Sequence, residues 1–142
     1  MLAPALASGE TLTKQQIINR SGPICRDLLE AIKPYVERAN DAMKKGQTER
    51  FIRASRRAID VARPYGNDLE DLRPAHGGRR YRRFVNQGQI ALAWVDLALD
   101  ALENDRPRLS RTRNETALKH LARAKRAAKR YGLRRPCIRV VS

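Results

Sequence analysis

The sequence predicts an all-α protein built as a single four-helix up-down bundle. Alanine, leucine and arginine dominate the chain, and these residues lose little free energy on entering a helix. Apolar residues recur at helical spacing in four segments, which short polar or Gly/Pro-containing links separate. A chain of 142 residues is long enough to enclose one hydrophobic core. The default arrangement of four amphipathic helices with short links is an up-down bundle.

The first helix is predicted to begin after Thr13. Thr13 and Gln16 have the spacing of a capping box, in which each residue satisfies a backbone N–H of the other. Apolar or small residues then recur from Ile17 to Met43. Gly22-Pro23 interrupts this run, and because proline lacks a backbone donor we expect a kink or a restart there. The helix is predicted to end at Lys44-Lys45-Gly46, with cations at its negative pole.

The second and third helices are predicted on either side of a long connection. The second begins near Thr48 and closes near Tyr65-Gly66, and residues 67–80 form the connection. The third runs from about Arg80 to Asn104 and has the broadest apolar face. Four residues of that face are predicted to lie inside the bundle: Leu92, Trp94, Val95 and Leu99.

The fourth helix is predicted after a polar connection over residues 107–113. Thr112 or Asn114 is the expected N-cap. Gly132 is the expected C-cap, followed by Leu133 in position for the hydrophobic contact that accompanies such caps. The inward face repeats at alternating steps of four and three residues: Ala117, Leu121, Ala124, Ala128 and Tyr131.

The N-terminus and the two cysteines favour an exported protein. Ala5-Leu6-Ala7 fits the small-x-small pattern that a signal peptidase cleaves, so residues 1–12 are predicted to be a signal-peptide remnant and flexible N-terminus. The folded domain is predicted to span residues 13–142. Cys25 and Cys137 form an even pair, and a disulfide between them would tie the C-terminal tail back to the first helix. The alternatives are an ordinary alanine-rich terminus and two unrelated thiols.

Three short segments resemble a group of small exported or lipid-anchored helical proteins of actinobacteria. The segments are Asn19–Arg26, which contains an Ile-Cys pair; Leu69–Pro74, followed by Tyr81–Phe84; and Ala127–Leu133, which closes with Tyr-Gly-Leu ahead of Cys137. The resemblance implies an extracytoplasmic four-helix protein with a structural disulfide, and it implies no activity. This chain departs from the group in being more basic and in having no lipobox cysteine near its start.

The positive charge is concentrated at the C-terminal end. The net charge is +15, and residues 105–142 carry 13 Lys and Arg against two acidic residues. Six cations there form a candidate polyanion-binding surface, which we name the basic stripe: Lys119, Arg123, Arg126, Arg130, Arg134 and Arg135. The sequence alone favours the other interpretation, a merely solvated face, over a specific binding site. The predicted partners are an anionic polymer, lipid headgroups or an acidic protein, and nucleic acid ranks below them because no RNA- or DNA-binding motif is present.

No catalytic or metal-ligating constellation is evident in the sequence. His76 lies in a Pro/Gly loop and His120 on a basic helix, and neither has a partner at metal-ligand spacing. Asp96, Asp100 and Glu103 share one helix face and are expected to pair with basic side chains of a neighbouring helix. No run of about 18 apolar residues, the length of a membrane span, occurs.

We therefore predict a protein with no enzymatic activity, no catalytic residue, no metal and no cofactor. The predicted role is that of an exported small basic helical protein, a structural or binding module of the cell envelope. The alternative is a cytoplasmic basic protein that associates with nucleic acid.

Overall fold

Over residues 10–142, the fold consists of five helices and two very short strands. The structure is a computed structural model and describes residues 10–142. The elements in chain order are β1 (Thr11–Leu12), α1 (Lys14–Lys44), α2 (Thr48–Asp71), β2 (Arg73–Pro74), α3 (Arg79–Glu103), α4 (Pro107–Tyr131) and α5 (Arg135–Val140). The all-α prediction is confirmed, with a small two-stranded pair added. The predicted signal-peptide cleavage pattern lies outside the described residues.

The start of α1 is determined by local sequence. The Thr13 hydroxyl accepts a hydrogen bond from the Gln16 backbone N–H, and the Gln16 side chain accepts one from the Thr13 backbone N–H, which confirms the predicted capping box. The helix continues through Pro23 and Pro34 to Lys44, so the predicted restart at Gly22-Pro23 does not occur. The kink there stays a prediction.

Helix α2 extends further than the sequence predicted. The expected end near Tyr65-Gly66 and the connection over residues 67–80 are wrong, because the helix continues to Asp71. Leu69 is buried at 4% exposure and lies seven residues after the buried Ala62, so the last turns of α2 keep one face against the core. The connection is confined to residues 72–78.

Helix α4 begins earlier than the sequence predicted. Pro107 occupies the first turn, where its missing N–H costs nothing, so the connection from α3 is only residues 104–106. The predicted cap at Thr112 or Asn114 is wrong. The Thr112 hydroxyl instead donates to the carbonyl of Arg108, and the Thr116 hydroxyl donates to the carbonyl of Thr112. Both threonines thus bond back along the helix interior.

The helices pack as two hairpins. Helix α1 packs along α2, and α3 packs along α4 over most of its length; the two hairpins meet mainly through α2 and α3. The turns of both hairpins lie at the same end of the molecule, because Arg56 near the start of α2 contacts Glu103 at the end of α3. At the other end, Lys14 lies over the ring of Tyr131, at the end of α4.

The core is centred on aromatic and small residues. Tyr81 and Phe84 are buried, and their ring centroids lie 6.1 Å apart. The Tyr81 ring also packs against Tyr131 at 5.7 Å between centroids. Leu99 is 3% exposed, as predicted. The three other residues that were predicted inside are only half-buried: Leu92, Trp94 and Val95. Buried alanines of α3 and α4 let these two helices lie close together, so the larger residues occupy the edge of the face.

The C-terminal tail is folded onto α1 by a disulfide. Cys25 and Cys137 are bonded, which confirms the predicted pairing, and Cys137 lies in α5. Gly132 ends α4 in the left-handed conformation at φ 87°, and the following Leu133 is buried, as predicted. Residues 135–140 form a short helix, where the sequence indicated only a tail.

The strands join the start of the described chain to the link between the hairpins. Thr11 and Leu12 pair in parallel with Arg73 and Pro74. Leu12 is buried at 3% exposure, so the structured chain begins ahead of the predicted boundary at residue 13. Over residues 10–142, we find no helix with both the length and the hydropathy needed to cross a membrane.

Candidate polyanion-binding surface

The basic stripe lies on the solvent side of α4 and the turn that follows it. Lys119, Arg123, Arg126 and Arg130 are separated by four, three and four residues, which places them on one helix face. All six residues of the stripe are exposed. The buried residues of α4, including Ala117, Ala124 and Ala128, lie on the opposite face. With a rise of about 1.5 Å per residue, the helical part of the stripe is about 16 Å long.

The C-terminal part of the stripe is positioned by α1. The guanidinium of Arg134 donates to the side-chain oxygen of Asn19 at 2.9 Å. Its alkyl chain lies over Gly22, where an added Cβ would lie 3.2 Å from the Arg134 Cδ. A residue larger than glycine would therefore crowd Arg134. The disulfide at Cys25 holds the adjacent α5 against the same helix, so the end of the stripe has a fixed position.

Among the described residues, no carboxylate pairs with the basic stripe. Throughout residues 10–142, no ion pair involves any of its six side chains. Apart from Arg134, which donates to Asn19, the guanidinium groups of the stripe donate no side-chain hydrogen bond to a residue of 10–142, and such groups match phosphate and carboxylate groups bidentately. The surface can therefore bind an extended anion along α4.

The carboxylates Asp96, Asp100 and Glu103 of α3 pair with arginines of α2. Arg56 of α2 contacts Asp96 at 3.0 Å, Asp100 at 2.7 Å and Glu103 at 2.8 Å, which confirms the predicted pairing with a neighbouring helix. Arg63 adds a second contact to Asp96 at 3.3 Å. The hydrogen bonds that Arg56 donates to Asp100 and, second, to Glu103 raise the pKa of Arg56. This network connects α2 to α3. Because its three carboxylates pair with arginines of α2, they do not neutralise the basic stripe.

One further arginine borders the stripe, and sequence reasoning missed it. Arg80 at the start of α3 reaches the backbone carbonyl of Arg130 at 3.5 Å. Its exposed neighbours on α3 are also basic: Arg79, Arg82 and Arg83. The antiparallel pairing of α3 with α4 brings these residues to the C-terminal end of α4. The Arg-rich start of the third helix, combined with the predicted up-down order, was the signal that could have found them.

The two histidines are not brought together. His120 Nδ1 lies 2.6 Å from the Gln87 Oε1, and His76 is exposed in the link before α3. In the part of the chain that the structure describes, no group of three or more His, Cys, Asp or Glu side chains could hold a metal ion. The arrangement around His120 is a helix-to-helix contact between α3 and α4.

Burial raises the pKa of two tyrosine hydroxyls in the core. Desolvation raises the pKa of Tyr81, whose hydroxyl donates to the carbonyl of Leu69. Desolvation also raises the pKa of Tyr131, and no hydrogen-bond partner for its buried hydroxyl is found among the described residues. Burial therefore disfavours the charged form of both phenols in the folded protein.

Comparison with known proteins gives no match to a family model, to a curated protein or to a solved structure.

Proposed function

We propose that this chain is an exported helical bundle whose basic stripe binds an anionic polymer of the cell envelope. The observation that carries the proposal is the combination of exposure and missing counter-charge in the stripe. Six cations lie in the open, and no carboxylate of residues 10–142 pairs with them. A polymer with regularly spaced phosphates or carboxylates supplies the missing charge, and its binding releases counterions.

The export part of the proposal is supported by the disulfide. A structural disulfide is compatible with an oxidising extracytoplasmic location and is rare in reducing compartments. The Ala5-Leu6-Ala7 pattern and the resemblance to exported actinobacterial proteins point the same way. Recovery of the protein from its native cell with an oxidised Cys25–Cys137 pair, in the envelope or medium, is the expected result. Recovery only from the cytosol, with two free thiols, would contradict export.

The binding part is tested with three probes that share negative charge: poly(glycerol phosphate), double-stranded DNA and vesicles containing phosphatidylglycerol. The test variant replaces Arg123, Arg126 and Arg130 by Gln. The control variant makes the same change in net charge at exposed arginines outside the stripe: Arg73, Arg106 and Arg111. Binding is measured by titration at about 0.15 M salt, where the screening length is about 8 Å.

The proposal predicts that the wild type binds poly(glycerol phosphate) and that the stripe variant loses most of this binding. The control variant is expected to lose little, because the lost charges lie away from the stripe. Equal losses in both variants would show a general effect of net charge and contradict a defined surface. Tighter, sequence-dependent binding to DNA that resists salt would favour the alternative of a nucleic-acid-associated protein. Preference for vesicles over the polymer would assign the stripe to lipid headgroups instead.

A further inference from the structure

A second basic site lies in the groove between α1 and α2, near the turn of that hairpin. The groove forms a solvent-open cavity of about 410 Å³, within the range of small-molecule pockets. Four arginines line it, together with the ring of Tyr35: Arg38, Arg50, Arg53 and Arg57. This site is separate from the basic stripe, since the stripe ends beside Asn19 and the groove lies about 30 Å further along α1 at 1.5 Å per residue.

The groove holds more positive charge than its own acidic residue can neutralise. Asp41 is the one carboxylate lining it, and Asp41 is paired with Lys45 at 3.1 Å. Within the described chain, none of the four arginines forms an ion pair with a carboxylate. The neighbouring Arg56 on the same helix contacts three carboxylates. The missing counter-charge is therefore a property of the groove and not of α2 as a whole.

Tyr35 holds two of these arginines in place. The guanidinium of Arg38 lies 5.4 Å from the centre of the Tyr35 ring, and that of Arg57 lies 5.9 Å from it. Cation–π contacts of this kind orient a guanidinium without using its N–H donors. The two guanidinium groups thus converge from α1 and α2 on one aromatic ring. Neither donates a side-chain hydrogen bond to a residue of 10–142, so their donors can contact a ligand.

We propose that this groove binds a small anion that carries two or more phosphoryl groups, such as an oligophosphate. Four guanidinium groups in one cavity repel each other, and a multiply charged anion removes that repulsion. Arginine forks match the paired oxygens of a phosphoryl group, and charge-assisted hydrogen bonds of this type are the strong ones. The cavity is larger than a single phosphate needs, which is why a ligand with several phosphoryl groups fits it best.

The test uses inorganic tripolyphosphate and ATP as probes, with citrate as a carboxylate control, in titration calorimetry of the full chain at about 0.15 M salt. The test variant is Arg53→Gln combined with Arg57→Gln. Its matched control is Arg106→Gln combined with Arg111→Gln, which removes the same charge from exposed residues outside the groove. Far-ultraviolet circular dichroism checks that both variants are folded.

Tripolyphosphate is expected to bind the wild type and to bind the groove variant at least about tenfold more weakly, because charge-assisted hydrogen bonds are lost. The control variant and the Arg123/Arg126/Arg130 stripe variant should keep wild-type affinity for tripolyphosphate. Arg53→Lys keeps the charge but loses the paired N–H donors of the guanidinium, so it should still weaken binding.

The comparison of ATP with tripolyphosphate distinguishes two sources of the phosphoryl groups. Binding of ATP as tight as that of tripolyphosphate would identify the ligand as a nucleotide-type phosphate. Weaker binding of ATP would identify a free oligophosphate.

The proposal is overturned if the wild type does not bind tripolyphosphate, if citrate binds equally well, or if the control variant loses as much affinity as the groove variant. Tyr35→Leu supplies an independent check. It leaves all four arginines present but removes the ring that orients two of them, so affinity for tripolyphosphate should fall. Unchanged affinity in Tyr35→Leu would contradict the geometry on which the site is built.

Discussion

Cys25 in the first half of α1 is bonded to Cys137 in α5, with their Cα atoms 5.0 Å apart. The bond closes a chain segment of 112 positions and links the first helix of the described fold to the last. In the sequence, Arg134 follows Gly132, the C-cap of α4, by two residues and precedes Cys137 by three. The disulfide therefore does two things: it stabilises the fold, and it holds the end of the basic stripe beside Asn19.

Loss of this disulfide is predicted to destabilise the protein strongly. In the chain-entropy model, a loop of this length contributes about 4–5 kcal/mol to the free energy of unfolding. Cys137→Ser should lose about this much in a urea titration, and the wild type treated with reductant should unfold at the same urea concentration as the variant. A loss below about 1 kcal/mol would show that α5 is held mainly by its noncovalent contacts.

Leu99→Ala is predicted to lower the free energy of unfolding by about 2–5 kcal/mol, because a large side chain is removed from a buried position. Leu97→Ala is the matched control on the same helix, since Leu97 is 40% exposed. The control should lose no more than about 0.5 kcal/mol, as exposed positions usually do. Similar losses for the two variants would mean that the buried face of α3 is misassigned.

Arg56→Gln is predicted to cost about 1–2 kcal/mol, because it leaves Asp96, Asp100 and Glu103 without their shared cation. Arg53→Gln is the control, since Arg53 is exposed and forms no ion pair with any residue of the described chain. Raising the salt concentration to about 1 M should shrink the difference between the two variants. A difference that does not change with salt would show that the loss is one of packing and not of charge.

Stability is predicted to fall at high pH because of Tyr81. An unfolded tyrosine loses its proton near pH 10, at about the ordinary pKa, whereas burial keeps Tyr81 protonated in the folded state. Above about pH 10 the unfolded state therefore binds fewer protons, and the free energy of unfolding falls by up to about 1.4 kcal/mol per pH unit for this residue. Tyr81→Phe should show a shallower decline between about pH 10 and pH 11 in chemical denaturation. An identical slope in the variant would remove Tyr81 as the cause.

Most of the features that sequence reasoning predicted correctly depend on neighbouring residues in the chain, and the Cys25–Cys137 pair is a long-range exception. The capping box of Thr13 and Gln16 and the left-handed cap at Gly132 are local, and both are confirmed. The errors arose at helix ends, where one local signal was overridden by another or by the burial of an apolar face. Thr112 has the chemistry of an N-cap, yet Pro107 starts the helix and the Thr112 hydroxyl bonds to Arg108. Helix α2 continues past Gly66 because Leu69 keeps the helical spacing from Ala62 and is buried, so the burial of this face outweighs the glycine as a stop signal.

The same division applies to the candidate sites. The spacing of Arg123, Arg126 and Arg130 places them on one face of any helix, so the main part of the stripe could be predicted. The approach of Arg80 to Arg130 depends on how α3 packs against α4. The arrangement of arginines around Tyr35 depends on the packing of α1 against α2, which periodicity within one helix cannot reveal.

The most direct test of the proposed function is the salt dependence of poly(glycerol phosphate) binding by the wild type and by the variant with Arg123, Arg126 and Arg130 replaced by Gln. Each phosphate contact contributes about 0.7 to the slope of log K against log salt for a single-stranded polyanion. Removing three contacts should therefore make the slope shallower by about 2, while the melting temperature stays nearly unchanged because the three side chains are exposed. A slope identical to that of the wild type would contradict the claim that the basic stripe is where the polymer binds.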